Sequence, residues 1–147
     1  MPSPNVILLI NAACTAAMAG LIWFVQIVHY PLFSAVGKAD FVAYEARHTH
    51  LTGFVVIPLM LAELITAGLL LMDRPASMPA WAAWVGAALV GVAWLSTFAL
   101  SVPQHNVLMQ GFDTRAHSLL VGTNWIRTAA WTARTFLIFW VIGRGLR

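Results

Sequence analysis

The chain has 147 residues, of which 61% are hydrophobic and 9% charged. Soluble domains carry about 25% charged residues, so this composition excludes a chain that clothes itself in a water-facing surface. The formal charge of +3 rests on eight Lys and Arg scattered without a basic run, which leaves no patch for nucleic acid.

A bilayer core is crossed by about 20 apolar residues, and four stretches reach that length. The expectation is an all-α integral membrane four-helix bundle, a single domain over residues 1–147 with spans near 6–28, 51–72, 80–102 and 119–143. The first span runs from Val6 to Val28 and is broken only by Asn11, Cys14, Thr15 and Gln26. It lacks a basic leader, and its apolar stretch exceeds the 7–15 residues of a secretory signal, so it is expected to stay as a helix. Cys14 is the one cysteine, so no intrachain disulfide forms. The second span, Leu51 to Met72, is interrupted by Glu63; the third, Ala80 to Val102, carries no charge. The fourth, Leu119 to Gly143, contains Asn124, Arg127 and Arg134. Trp81, Trp84, Trp125 and Trp140 suit the aromatic belts at membrane interfaces.

Four spans put both termini on one face, here called the terminal face. It has one tight loop, Asp73 to Pro79, with two prolines. The distal face carries the segments Tyr30 to Asp40 and Pro103 to Asp113. Asp40 is a plausible N-cap for the second helix, and Asp113 or Thr114 for the fourth. Both helices then reach about 30 residues, or roughly 45 Å, and extend beyond the bilayer on the distal face. Small residues step by four along the first span (Ala12, Ala16, Gly20) and the third (Ala83, Ala87, Gly91). That spacing lets helices approach closely, either within the chain or as the interface of a homo-oligomer.

All five histidines fall on the distal face: His29, His48, His50, His105 and His117. Imidazole is the commonest metal ligand, and bundles build metal sites from facing helices. Glu45 lies three residues before His48, the spacing of di-iron carboxylate bundles. Met109 lies four after His105, a pair suited to a softer metal such as copper. His50 is two residues from His48 and points elsewhere. The expected metal set is therefore His29, His48 and His105 with Glu45 or Met109, binding copper, iron or haem, with Asn124 and Arg127 deeper on the fourth helix supporting it or orienting a substrate. Interfacial histidines resting among headgroups are the competing reading.

Glu63 lies near the middle of its span, where a lone carboxylate costs about 2.5–3.5 kcal/mol on insertion scales. Asn124, Arg127, Trp131 and Arg134 repeat at three- and four-residue steps and form one polar stripe. Antiparallel spans bring Glu63 and Arg134 to nearly the same depth, so a buried ion pair is expected. Its role is either register-fixing or a proton path or anion pocket.

Three segments carry a resemblance: VHYPLF, in which His29 stands, VPQH ending at His105, and NWIRTAAWTAR from Asn124 to Arg134. They resemble small four-helix bacterial membrane proteins of unknown function and are similar to the anthrone-oxygenase-like group, over nearly the whole chain in layout. The resemblance implies four helices, a bacterial inner-membrane location and functional roles for His29, His48, His105, Asn124, Arg127 and Arg134. Anthrone oxygenases are regarded as working without a metal, which weighs against the ligand set above. Three functions stand open. The first is a redox protein with a distal metal or haem acting on a lipid-soluble substrate or passing electrons. The second is a cofactor-free enzyme with a His general base and Arg127 at a developing oxyanion. The third is a structural subunit or small transporter. Arg74, Arg144 and Arg147 on the terminal face are matched in number by Lys38, Arg47 and Arg115 on the distal face. Arg144 and Arg147 directly flank a span, which favours cytoplasmic termini.

Overall fold

The computed structural model describes residues 2–147. Four helices account for it, and the described residues contain no strand. They are α1 (Pro4–Ala35), α2 (Phe41–Met72), α3 (Ala80–Leu108) and α4 (Thr114–Gly145). The first three are long and apolar enough to cross a membrane. The fourth is less apolar, because Arg127, Arg134, Asn124 and several threonines occupy its middle.

Helix starts follow from local chemistry. Ser3 caps α1, accepting from the Val6 amide at 3.5 Å, with Pro4 at the first helical position, where its missing N–H costs nothing. Asp113 caps α4, its Oδ1 accepting from the Ala116 amide at 2.7 Å. Asp40 holds the cap position of α2 without a side-chain bond. Gly111, at φ 143°, turns the chain between α3 and α4 in a conformation that only glycine adopts freely.

Two helices run further than their apolar stretches suggested. The α1 helix passes Val28 through a π-turn at Val25–His29 and a 3-10 turn at Pro31–Ala35. The α3 helix passes Val102 through a second π-turn at Thr97–Ser101 and ends at Leu108. Each π-turn sits just before a proline, Pro31 or Pro103. A widened turn absorbs the hydrogen bond that proline cannot make. The distal connection expected from Pro103 onward is thus helical over its first half.

The α1 helix packs against α2 and α4, and α3 packs against the same two. Apolar side chains form two layers: Met18, Ile22, Phe33, Phe41 and Leu120 toward the distal end, and Ile7, Leu70, Ala82, Ile138 and Val141 toward the terminal end. The outward surface is also apolar, with Phe54, Leu95 and Phe136 all exposed. Polar side chains turn inward instead. Of the small-residue ladders, Ala12 and Ala83 pack inside the chain, whereas a Cβ at Gly20 would have no atom within 4 Å.

Candidate functional site

Two polar clusters lie inside the helices. The one nearer the terminal end centres on Glu63 and Arg134, each 1% exposed. Arg134 Nε donates to Glu63 Oε1 at 2.8 Å. The guanidinium also donates to Asn11 Oδ1 at 2.8 Å, to Thr15 Oγ1 at 3.2 Å and to the Gly86 carbonyl. Glu63 Oε1 further accepts from Thr15 at 2.7 Å, and Oε2 from the Trp131 indole at 2.8 Å. Asn11 Nδ2 closes the set by donating to Thr66 Oγ1 at 2.7 Å. All four helices contribute, and each charge is matched and saturated with partners, as a buried pair requires.

The distal cluster is built differently. The π-turn in α1 turns Tyr30 inward, where it is 4% exposed. Its backbone carbonyl accepts from His117 Nε2 at 2.7 Å, which ties α1 to α4. From its hydroxyl a chain of contacts runs both ways. On one side Tyr30 Oη lies 3.1 Å from His105 Nε2, and His105 Nδ1 lies 2.5 Å from Glu45 Oε1. On the other side Arg127 Nη2 donates to Tyr30 Oη at 3.1 Å and to Asn124 Oδ1 at 2.5 Å. Asn124 donates onward to Gln26 Oε1 at 2.9 Å. Glu45 is fully buried, and its Oε2 has no hydrogen-bond partner among the described residues.

A second strand of contacts joins the histidines. His29 Nε2 and His48 Nδ1 are 2.8 Å apart, and Thr52 Oγ1 lies 3.1 Å from the same His48 nitrogen. The His48 and His105 ring centres are 5.4 Å apart. His29, His48, His105 and Glu45 therefore gather at one place. Among the described residues, however, no three His, Cys, Asp or Glu side chains are grouped around one point as a metal ion needs. The His105 nitrogens face Glu45 and Tyr30, and His48 Nδ1 faces His29. Met109 is among the residues that line the adjacent cavity, and His50 is exposed, edge-on to Phe54.

That cavity is about 270 Å³ and is mostly apolar. Met18, Ile22, Val56 and Val102 supply greasy wall, Trp131 is among the lining residues, and Tyr30, His48, His105, Thr97 and Arg127 supply the polar part. A cavity of about 150 Å³ holds a benzene, so this one has room for a molecule of one or two rings. Trp131 thus connects the clusters, since its indole nitrogen rests on Glu63 while its ring borders the cavity.

Several of these residues were not singled out from sequence as site candidates. Asn11, Thr15 and Gln26 appeared only as interruptions of an apolar span. Their spacing of four and eleven residues puts them on one helix face, a signal that could have found them. Tyr30, four residues after Gln26, falls only at the edge of that face on an ideal helix, and the π-turn that aims it inward is invisible to such counting. Comparison with known proteins adds nothing to this assignment: no family model, no curated protein and no solved structure matches the chain.

Proposed function

We propose that this chain is an integral membrane protein of four spans that takes a lipid-soluble small molecule into its distal cavity and removes a proton from it. The outward apolar surface and inward polar clusters support the membrane assignment. Helices of 32 residues measure about 48 Å against a core of about 30 Å, so α2 and α4 project beyond the bilayer on the distal face. The termini lie on the cytoplasmic side, where Arg144 and Arg147 anchor them.

One observation carries the chemical reading: a carboxylate, an imidazole and a phenol stand in series, Glu45–His105–Tyr30, beside an apolar cavity. A carboxylate on Nδ1 fixes the imidazole tautomer and leaves Nε2 as the acceptor. The Tyr30 hydroxyl donates to that nitrogen, and Arg127 stabilises the phenolate formed when the proton moves across. Tyr30 then accepts the proton of the substrate. The net change is one proton on His105, held as an imidazolium against Glu45, and one negative charge on the substrate. The total charge in the cavity is constant, which keeps the transfer affordable in a low-dielectric site.

The probe is 2-naphthol, whose neutral and ionised forms absorb differently. Bound to the protein in detergent, it ionises at a pH where it is neutral in solution, and Tyr30→Phe, His105→Gln and Glu45→Gln each suppress this. A wild-type protein that binds the probe and leaves it neutral refutes the reading. The partnerless Glu45 Oε2 and the close His29–His48 nitrogens favour a second reading, a copper, iron or haem site on His29, His48 and His105 with Glu45 or Met109. Bound metal would supply redox chemistry there. Metal analysis and absorption spectra after purification from metal-supplemented cells test it, and His29→Ala should strip the metal.

A further inference from the structure

The two buried arginines are treated oppositely by the fold. Arg134 meets a carboxylate at 2.8 Å and four acceptors in all. Arg127 is 7% exposed, yet the described residues place no carboxylate within 4.0 Å of it, since their ion pairs are His105–Glu45 and Arg134–Glu63. Its Nη2 is shared between Tyr30 and Asn124, its Nη1 reaches Thr97 only at 3.5 Å, and its Nε has no partner among the described residues. Arginine cannot shed its proton in a protein. A buried, unneutralised guanidinium in a membrane interior is costly, and this one borders a cavity of mostly apolar wall.

We propose that the cavity is a binding site for an anionic amphiphile, a molecule of one or two rings or a short chain whose carboxylate, phenolate or enolate oxygen pairs with Arg127. The inference rests on the proton-transfer reading for the origin of the anion, but it applies equally to a ligand that arrives already ionised. The anion supplies the acceptor that Arg127 lacks, and the apolar wall buries the rest. A neutral ligand of the same shape fills the space but leaves the charge of the guanidinium unneutralised. The oxygen of the neutral isostere also accepts from Arg127, but only the anion cancels its charge, and the coupling of close buried charges favours the acid by about tenfold or more.

Binding of 2-naphthoate and of 2-naphthamide to the detergent-purified protein, followed by Trp fluorescence, measures this preference. Wild type binds the carboxylate about tenfold tighter. Arg127→Gln abolishes the difference. Because that variant removes a side chain buried among four helices, Asn124→Asp serves as a second: it keeps Arg127 and places a carboxylate where Nη2 already points. The internal carboxylate neutralises Arg127, and acid and amide then bind alike. Equal binding of the two by wild type, or a preference that survives in a folded Arg127→Gln or Asn124→Asp protein, overturns the inference. His105→Gln separates it from the proton-transfer reading. Loss of naphthol ionisation with naphthoate preference intact upholds both. Naphthoate preference without any His105-dependent ionisation retains the anion site and refutes the relay.

Discussion

Replacing Glu63 with Gln tests whether the terminal-side cluster holds the helices together. Both carboxylate oxygens are surrounded by donors: Thr15 and Arg134 on Oε1, Trp131 on Oε2. An amide has only one oxygen, so either Arg134 and Thr15 or the indole must face an N–H instead of an acceptor. Arg134 also loses the one carboxylate that the described residues set against it. Removing one member of a buried pair costs about 3–5 kcal/mol, and we expect Glu63→Gln and Arg134→Gln each to fall in that range. The double variant leaves no buried charge, so its loss is smaller than the sum, with a coupling of about 1–3 kcal/mol. Unfolding in mixed micelles, titrated with an anionic detergent and followed by circular dichroism, gives all four corners of the cycle. A single variant within about 0.5 kcal/mol of wild type, the ordinary range for a surface change, or strictly additive losses, would refute the reasoning.

Three further outcomes follow from the geometry. A Cβ at Gly86 would sit 3.0 Å from Arg134 Nη1, so Gly86→Ala should cost about 1–3 kcal/mol through overpacking; an unchanged unfolding midpoint would show that the guanidinium can move aside. His50 points away from the cavity, so His50→Ala should leave naphthol ionisation as in wild type while His48→Ala alters it, and equal effects would mean that the two faces of α2 are misassigned. In a Cys14→Ser background, a cysteine at Ser77 should react with an impermeant reagent only from the cytoplasm and one at Gly37 only from the opposite side; the reverse pattern inverts the orientation.

The sequence made some of this visible because charge in an apolar run is rare. Glu63 and Arg134 stand out against their neighbours, and antiparallel counting already sets them at one depth. The histidines could be placed on one face by the same counting. Which nitrogen meets which partner could not. His48 shares a helix turn with Glu45, and helix periodicity paired those two, yet Glu45 meets His105 from α3, because the second π-turn changes the phase of everything after Thr97. The acceptors around Arg134 were hidden for another reason. Gly86 contributes a backbone carbonyl, which every residue has, and its missing side chain leaves the guanidinium room beside it.

The two π-turns have a consequence for how the molecule could be taken apart. Each behaves as one extra residue threaded into an otherwise regular helix, and one residue is about 100° of rotation. Adding a single residue after His29 and one after Ser101, beyond the turns that already absorb one, would swing Tyr30 and His105 about 100° off the interior. Asn11, Thr15, Glu63, Gly86 and Arg134 all lie outside the segments that rotate, so the polar clamp near the termini would stay closed. The protein would then stand as an intact barrel of helices with its chemistry dialled out of register. Architecture and reactivity are thus written in separable stretches of the chain, and two single-residue insertions are the switch between them.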